Sequence, residues 1–284
     1  MKVLLALLLS LEASAQALPG GERVEFGSVF GYLYRPASAA KVPAVVIVHG
    51  SGGVSAAREG FWARELSAFG MAALVIDSFT PRGVDSTVED QSRVTTMQMV
   101  GDAFAALSFL SLQDFVDPAR VAVMGMSKGG AVALLAADRH TLRDGRLPFA
   151  AHLPLYPSCS LQYRSPRPSA APVLMLIGAE DNYVGVRLCV GYAERLRAAG
   201  GKAELKTYPG AHHAFDGDTS QQREFFLARA QNYSECVIYI EDDGKLAPWD
   251  RGCMRKGATV AANHRAKMQA LEDAKAFFKT TLFQ

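Results

Sequence analysis

The sequence has no block of like charges, no internal repeat and no low-complexity tract. Its 30 basic and 28 acidic side chains are dispersed over 284 residues and leave a formal net charge of +2. Proteins that bind nucleic acid concentrate lysine and arginine on one face, so this dispersed charge argues against nucleic acid as a partner. After residue 15 no apolar run is long enough to cross a bilayer, and we expect no membrane span there.

Metal- and nucleotide-binding spacings are absent as well. Neither C-x-x-C nor H-E-x-x-H occurs, which excludes the common zinc motifs. A glycine-rich turn, HGSGG at 49–53, lacks both the Gly-Lys-Ser/Thr ending of phosphate loops and the G-x-G-x-x-G spacing of dinucleotide loops. We therefore expect neither a zinc site nor a nucleotide cofactor.

The N-terminus carries a short apolar run. Lys2 is followed by a run at 3–11 that is apolar except for Ser10, and then by Ala13-Ser14-Ala15, the small-residue pattern of a signal peptidase site. The run is too short for a stable membrane-spanning helix. Residues 1–15 are therefore predicted to be a removed export signal, and the mature chain is expected to begin at Gln16 in the periplasm or outside the cell.

Four cysteines lie in the predicted mature chain: Cys159, Cys189, Cys236 and Cys253. An even number in an oxidising compartment predicts two disulfides, for which three pairings are possible. We favour Cys236 with Cys253, because they bracket a polar segment that buries little apolar area and gains stability from a covalent link. Cys159 then pairs with Cys189 by elimination.

Short β-rich segments alternate with longer amphipathic ones along most of the chain. After a hairpin at 23–34, we predict strands at 42–48, 72–76, 121–124, 150–155, 173–177 and 203–208, and helices at 61–68, 97–112, 187–199 and 262–278. Continuous Val, Ile and Leu runs indicate strands buried on both faces, so the order predicts an α/β fold with a mostly parallel sheet and helices on both faces. An insertion near 217–257 is expected to form either a partial lid or a stapled, solvated loop.

The most informative motif is G-x-S-x-G around Ser127. It follows the apolar run at 121–124 and precedes an Ala-rich stretch, which is typical of a strand, a tight turn and a helix. Small residues at Gly125 and Gly129 suit a strained turn that presents the serine hydroxyl above the sheet. We therefore predict Ser127 as a nucleophile.

An acid and a histidine follow further along the chain, each after a predicted strand. Glu180 and Asp181 come after the strand at 173–177, and we favour Asp181 because it lies further out on its loop. His212 and His213 follow the strand at 203–208, and we favour His213 as the base, with Phe215 packed under the turn to hold its ring. The order nucleophile, acid, histidine is the order of the α/β-hydrolase fold.

Two backbone amides are candidates for holding a developing oxyanion. The amide of Lys128 opens the helix after Ser127, and the glycine-rich turn offers Ser51 or, as the alternative, Gly52. Gly50, Gly52 and His212 are predicted to line the substrate pocket, with a merely solvated His212 as the alternative. The side chain of Lys128 could equally be exposed on its helix, without a catalytic duty.

The motifs HGSGG, DSFTPRG, GMSKGG, GAEDNYV and YPGAHHAFD together resemble the dienelactone hydrolase family of α/β-hydrolases. The length of 284 residues and the hydrophobic content of 49% predict a single domain over 16–284. The resemblance implies an α/β-hydrolase fold and a triad at Ser127, Asp181 and His213, without a metal or organic cofactor. The founding enzymes use cysteine at the elbow, where this chain has serine. The expected substrate is therefore a small soluble carboxylic ester or lactone, hydrolysed through an acyl-enzyme.

The resemblance also bears on Arg82, in the motif DSFTPRG. Dienelactone enzymes place an arginine in this region to bind a substrate carboxylate, for which the planar guanidinium is suited. The alternative is an arginine that braces its own loop. Two other functions stay open at this stage: a serine peptidase of the prolyl oligopeptidase type, and a binding protein that keeps the scaffold without turnover.

Overall fold

The computed structural model describes residues 18–142, 145–220 and 223–283. The predicted export signal at 1–15 lies outside these residues. Within them, no helix combines the length and the apolar character that crossing a membrane requires.

A large sheet of eight strands forms the centre of the fold. In chain order its strands are β1 Glu22–Phe26, β2 Val29–Tyr34, β3 Val42–Val48, β4 Ala72–Asp77, β5 Val116–Met126, β6 Ala151–Leu155, β8 Val173–Gly178 and β9 Ala203–Tyr208, with the short strand β7 Leu161–Tyr163 outside it. The spatial order is β1-β2-β4-β3-β5-β6-β8-β9. The first two strands form an antiparallel hairpin, and β2 also pairs antiparallel with β4. The remaining neighbours, from β4 through β3, β5, β6 and β8 to β9, pair in parallel.

In the described part of the chain, five α-helices cover the sheet: α1 Glu59–Ala68, α2 Thr96–Ser111, α3 Lys128–Leu135, α4 Val186–Ala198 and α5 His264–Leu282. Alternate residues of β3 belong to different apolar clusters, which places one cluster on each face of the sheet. Ile47 packs in the cluster that contains Trp62 of α1 and Phe278 of α5. Val46 packs in the opposite cluster with Phe104 of α2.

The predicted fold class is confirmed, and each predicted central strand and helix is present within a few residues of its expected bounds. Apolar runs buried on both faces were the reliable signal, because every residue of β3, β4 and β8 is buried. The sequence did not predict β7 or the short strands of the insertion, because two or three residues are too few to show the alternation of apolar and polar side chains that is typical of a strand.

The insertion near 217–257 is folded against the site end of the sheet. It contains β10 Glu224–Phe226, β11 Gln231–Asn232, β12 Ile238–Ile240 and β13 Arg255–Lys256, and β14 Thr259–Ala261 follows it. Strand β12 pairs in parallel with β7, which joins the insertion to the loop after β6. The favoured cysteine pairing is found: Cys236 is bonded to Cys253, and Cys159 to Cys189.

Candidate active site

Ser127 lies on a strained turn between β5 and α3. Its backbone has φ 55° and ψ −111°, in a region that residues with side chains rarely adopt. The turn has no room for side chains on either side. A Cβ on Gly125 would lie 2.2 Å from the carbonyl oxygen of Gly129, and one on Gly129 would lie 2.1 Å from that of Val48.

The structure brings together the three residues that the sequence predicted as a triad. The Oγ of Ser127 lies 3.0 Å from Nε2 of His213, and Nδ1 of the same ring lies 2.8 Å from Oδ2 of Asp181. The side chains of His213 and Asp181 are almost completely buried. Three loops supply these groups because β5, β8 and β9 are parallel and end at the same edge of the sheet.

Backbone amides fix the carboxylate of Asp181. Its Oδ1 accepts hydrogen bonds from the amides of Tyr183 at 2.9 Å and Val184 at 3.1 Å, which leaves Oδ2 for the histidine. Glu180, the alternative acid, is exposed, and its amide donates to the carbonyl of Ala211. The geometry therefore favours Asp181 over Glu180.

Two tyrosines hold the ring of His213. The rings of Tyr156 and Tyr183 contact it edge-on, with centroids 4.8 Å and 4.7 Å away. Phe215, which the sequence placed against the histidine, lies one layer further out and packs on Tyr156 at 5.3 Å. Neither tyrosine was predicted, because each belongs to a loop whose path depends on the packed structure.

The glycine-rich turn after β3 lies directly beside the nucleophile. Strands β3 and β5 pair with Val48 opposite Gly125, so the residues that follow them meet. A Cβ on Gly50 would lie 3.4 Å from Cβ of Ser127. The predicted oxyanion donors, the amides of Ser51 and Lys128, thus come from the two segments that flank the serine.

His49 fixes the start of this turn. The amide of Ser78 donates to Nε2 at 3.2 Å, so Nδ1 carries the proton and donates to the carbonyl of Gly50 at 2.7 Å. Complete burial lowers the pKa of His49. The ring is therefore a neutral, structural support and not a second base.

The side chain of Lys128 is buried, so the alternative of a lysine exposed on its helix does not hold. Its Nζ donates to the carbonyls of Gln91, at 2.9 Å, and Val94, and lies 3.3 Å from Oγ1 of Thr87. Burial lowers the pKa of this ammonium to about 8. Lys128 thus anchors the loop at 87–94 to the helix that follows the nucleophile.

A second buried polar cluster lies behind the histidine. Asp216 is fully buried and accepts hydrogen bonds from Nε1 of Trp62 at 2.7 Å and from the hydroxyl of Tyr156 at 2.5 Å. Burial raises the pKa of this carboxyl, and the nearby Arg58 opposes the rise. Arg58 is itself paired with the buried Glu59 at 2.9 Å. The cluster was not recognised in the sequence, because its members lie far apart along the chain.

Two predicted substrate ligands lie elsewhere. The guanidinium of Arg82 forms a bidentate ion pair with Asp102, with both distances 2.8 Å. The two nitrogens that would bind a substrate carboxylate therefore already donate to Asp102. Arg82 braces the loop after β4 and lines neither cavity beside Ser127. His212 faces Glu224 at 3.3 Å and lines a separate cleft near α5. We therefore keep neither residue as a substrate ligand.

Two cavities open beside Ser127. The larger, of about 260 Å³, extends towards Tyr233 and Trp249 of the insertion. The smaller, of about 160 Å³, is lined by Gly50, Gly52 and His213 among others, as predicted for the two glycines. In the described part of the chain, no group of three or more His, Cys, Asp or Glu side chains is arranged to hold a metal ion.

Comparison with known proteins places the chain in a family of hydrolases. Residues 29–282 match the dienelactone hydrolase family. A Bradyrhizobium protein named "Probable 2-oxo-3-(5-oxofuran-2-ylidene)propanoate lactonase" is 27% identical over 199 residues, which cover 66% of this chain and 79% of that relative.

Solved structures with the same fold include esterase 2 of Thermogutta terrifontis. Its paraoxon-phosphorylated form has a TM-score of 0.64 at 18% identity and covers 93% of this chain and 95% of its own. The propionate-bound form has a TM-score of 0.57 at 21% identity, over 70% of this chain and 86% of its own. At these identities the likeness shows that the fold is shared.

Proposed function

The chain belongs to the dienelactone hydrolase family, and from this premise we propose that it hydrolyses small soluble carboxylic esters and lactones through an acyl-enzyme on Ser127. The observation that carries the proposal is the continuous hydrogen-bonded line from Ser127 through His213 to Asp181, with distances of 3.0 Å and 2.8 Å. The relative named as a lactonase supports cyclic esters among the substrates.

In the first half of the reaction Ser127 becomes acylated. Its Oγ attacks the carbonyl carbon while its proton passes to Nε2 of His213, and Asp181 stabilises the resulting imidazolium. The negative charge moves to the carbonyl oxygen, where the amides of Ser51 and Lys128 donate to it. Collapse of this intermediate breaks the bond to the alcohol oxygen, which takes the proton from His213.

In the second half water replaces the alcohol. A water molecule gives a proton to Nε2 of His213 and attacks the acyl carbon, which forms a second oxyanion at the same two amides. This intermediate expels Oγ of Ser127, which recovers the proton from the imidazolium. The products are a carboxylic acid and the free enzyme, so no other reactant is required.

Covalent labelling tests the nucleophile separately from the substrate. A fluorophosphonate reagent should add once to the protein, at Ser127 by peptide mapping, and the adduct should be missing in Ser127→Ala. Ser108→Ala is the matched control, because its hydroxyl donates to a helix carbonyl far from the site, and it should label normally. Labelling at another residue, or none in the wild type, would contradict the proposal and favour a binding protein.

Hydrolysis assays separate an esterase from a peptidase. We expect the protein to cleave ethyl butyrate and γ-lactones, and to leave the peptide amide of a prolyl substrate intact. His213→Gln and Asp181→Asn should lower kcat by roughly a thousandfold or more, because each removes the imidazole or its orientation. Faster cleavage of the amide than of the ester would favour the peptidase.

We also propose that residues 16–284 form a single exported domain. Two disulfides fit an oxidising compartment, and the pattern at 1–15 fits an export signal. N-terminal sequencing of the protein recovered outside the cytoplasm should give Gln16 first. Recovery of a chain that still begins at Met1 would contradict the predicted cleavage.

A further inference from the structure

Ser127 separates two cavities of different character. Ser51, Ser127 and Tyr183 line both of them, whereas His213 lines only the smaller one. An ester bound at Ser127 must place its acyl half in one cavity and its alcohol half in the other. The two cavities therefore act as two subsites of one site.

Proton transfer determines which half each cavity receives. In the proposed reaction His213 protonates the departing alcohol oxygen, so this oxygen must lie within hydrogen-bonding distance of Nε2. The alcohol half therefore occupies the smaller cavity, of about 160 Å³, and the acyl half occupies the larger one, of about 260 Å³. The site is thus shaped for a small alcohol and a larger acyl group.

The larger cavity has an apolar wall. The apolar and aromatic side chains that line it include Leu161, Val184, Tyr233, Ile238, Leu246 and Trp249, and its polar lining consists of neutral serine, threonine and glutamine side chains apart from Lys128. Among the described residues that line it, Lys128 alone carries a charge, and its Nζ already donates to the carbonyls of Gln91 and Val94 and contacts Thr87. No cationic group is therefore left to bind a carboxylate on the acyl chain.

The smaller cavity also offers no unpaired charge. Arg58 is the cationic side chain that lines it, and its Nε donates to the buried carboxylate of Glu59 at 2.9 Å. Arg82, the residue expected from the sequence to bind a substrate carboxylate, is paired with Asp102. Both arginines are thus already paired with a carboxylate of the protein.

From these contacts we propose that the enzyme selects neutral esters of small alcohols that carry a medium-sized apolar acyl group. This inference rests on the proposed ester hydrolysis. The insertion determines the preference, since it supplies Tyr233, Ile238, Leu246 and Trp249 to the acyl cavity. Burial of each further methylene in that cavity increases the affinity for the transition state.

A series of ethyl esters tests the acyl preference. Each buried methylene contributes about fourfold in kcat/KM, so the kcat/KM of ethyl hexanoate, with two more methylenes, should exceed that of ethyl butyrate by roughly fifteenfold. Monoethyl succinate should be at least about tenfold slower than ethyl pentanoate, because its carboxylate would be desolvated without a partner. A preference for monoethyl succinate, or for acetate over the longer acyl groups, would overturn the proposal.

A charge placed on the acyl wall tests the role of the insertion. Leu246 is 57% exposed, so Leu246→Lys should fold normally. We expect it to lower the ratio of kcat/KM for ethyl hexanoate to that for ethyl butyrate by about fivefold, and to raise kcat/KM for monoethyl succinate relative to ethyl pentanoate. Leu112→Lys is the matched control, at an exposed leucine outside both cavities, and should keep the wild-type ratios. Wild-type ratios in Leu246→Lys would overturn the role of the insertion.

The outcomes distinguish this inference from the function on which it rests. If no ester is hydrolysed and Ser127 is not labelled by a fluorophosphonate, both are overturned. If Ser127 is labelled and esters are hydrolysed with a preference for anionic or very short acyl groups, the ester hydrolase stands and only the neutral, apolar acyl preference fails.

Discussion

Lys128 directly follows the proposed nucleophile Ser127, and its ammonium donates a hydrogen bond to the carbonyl of Gln91 at 2.9 Å. The loop at 87–94 also holds Ser51, the other proposed oxyanion donor, because the amide of Thr87 donates to the carbonyl of Ser51 at 2.8 Å. The side chain of Ser51 also donates to Oε1 of Gln91 at 3.0 Å. One lysine therefore links the two segments whose amides are proposed to hold the oxyanion.

Lys128→Met should loosen this link while keeping the backbone amide. We expect kcat to fall by roughly tenfold with a smaller change in KM, because the oxyanion contact is made mainly in the transition state. Lys267→Met is a matched control, since Lys267 is also buried and donates to the carbonyls of Ala57 and Gly217. The control should lose thermal stability but keep kcat within about twofold. Equal losses of kcat would assign Lys128 a purely structural role.

The same lysine gives a dependence of stability on pH. Its pKa is lowered to about 8 in the folded protein, whereas the unfolded side chain titrates near 10.5. Between these values the unfolded state binds more protons, so the free energy of unfolding should rise with pH in this window. Urea titrations from pH 8 to 10 should show this rise in the wild type and a smaller one in Lys128→Met. An equal rise in both proteins would exclude Lys128 as its source.

Removal of the Asp216 carboxylate should destabilise the protein strongly. Asp216→Ala leaves the buried donors of Trp62 and Tyr156 without their acceptor, at a cost of about 3 to 5 kcal/mol in the free energy of unfolding. The exposed Asp218 provides the control, and Asp218→Ala should change stability by no more than about 0.5 kcal/mol. Chemical denaturation of both variants measures the difference, and similar values would contradict a supporting role for Asp216.

His152 should make the fold sensitive to acid. Complete burial lowers its pKa to about 4, below the ordinary value of 6.5, so between these values only the unfolded state gains the proton. Stability is therefore lost as pH falls from 6.5 to 4, at about 1.4 kcal/mol per pH unit. His152→Met should lose about 2 kcal/mol less than the wild type between pH 7 and 5. His264→Met, at an exposed histidine, is the control and should lose as much unfolding free energy between pH 7 and 5 as the wild type. An equal loss in His152→Met would exclude His152 as the cause of the acid sensitivity.

The sequence predicted the central fold because local signals and burial agree there. Strand β3 is a continuous apolar run and is found at its predicted bounds, and the turn at Ser127 needs glycine at fixed positions. The triad could be predicted for a related reason. Parallel strands end at one edge of the sheet, so residues placed directly after them meet wherever the helices lie.

The supporting residues of the site could not be predicted. Tyr156 and Asp216 meet across 60 residues of sequence, and Trp62 reaches Asp216 across 154. Such contacts depend on how loops pack in three dimensions, and no local pattern marks them. For Arg82 the motif suggested a substrate ligand, but the structure pairs the side chain with Asp102. Asp102 lies on α2, outside the motif, so the motif could not predict this ion pair.

Glycine at position 129 is expected to be indispensable. A Cβ there would lie 2.1 Å from the carbonyl oxygen of Val48 and 2.7 Å from that of His49, and both are backbone atoms of the strand end beside the nucleophile. Gly129→Ala must therefore displace α3 or β3 and the turn that holds Ser51, so activity should fall by more than about a hundredfold. Gly101→Ala is the control, because a Cβ in that part of α2 meets nothing within 4 Å and should stabilise the helix by up to about 1 kcal/mol. Near-normal ester hydrolysis by Gly129→Ala would mean that the close contact between α3 and β3 is not required to position the nucleophile.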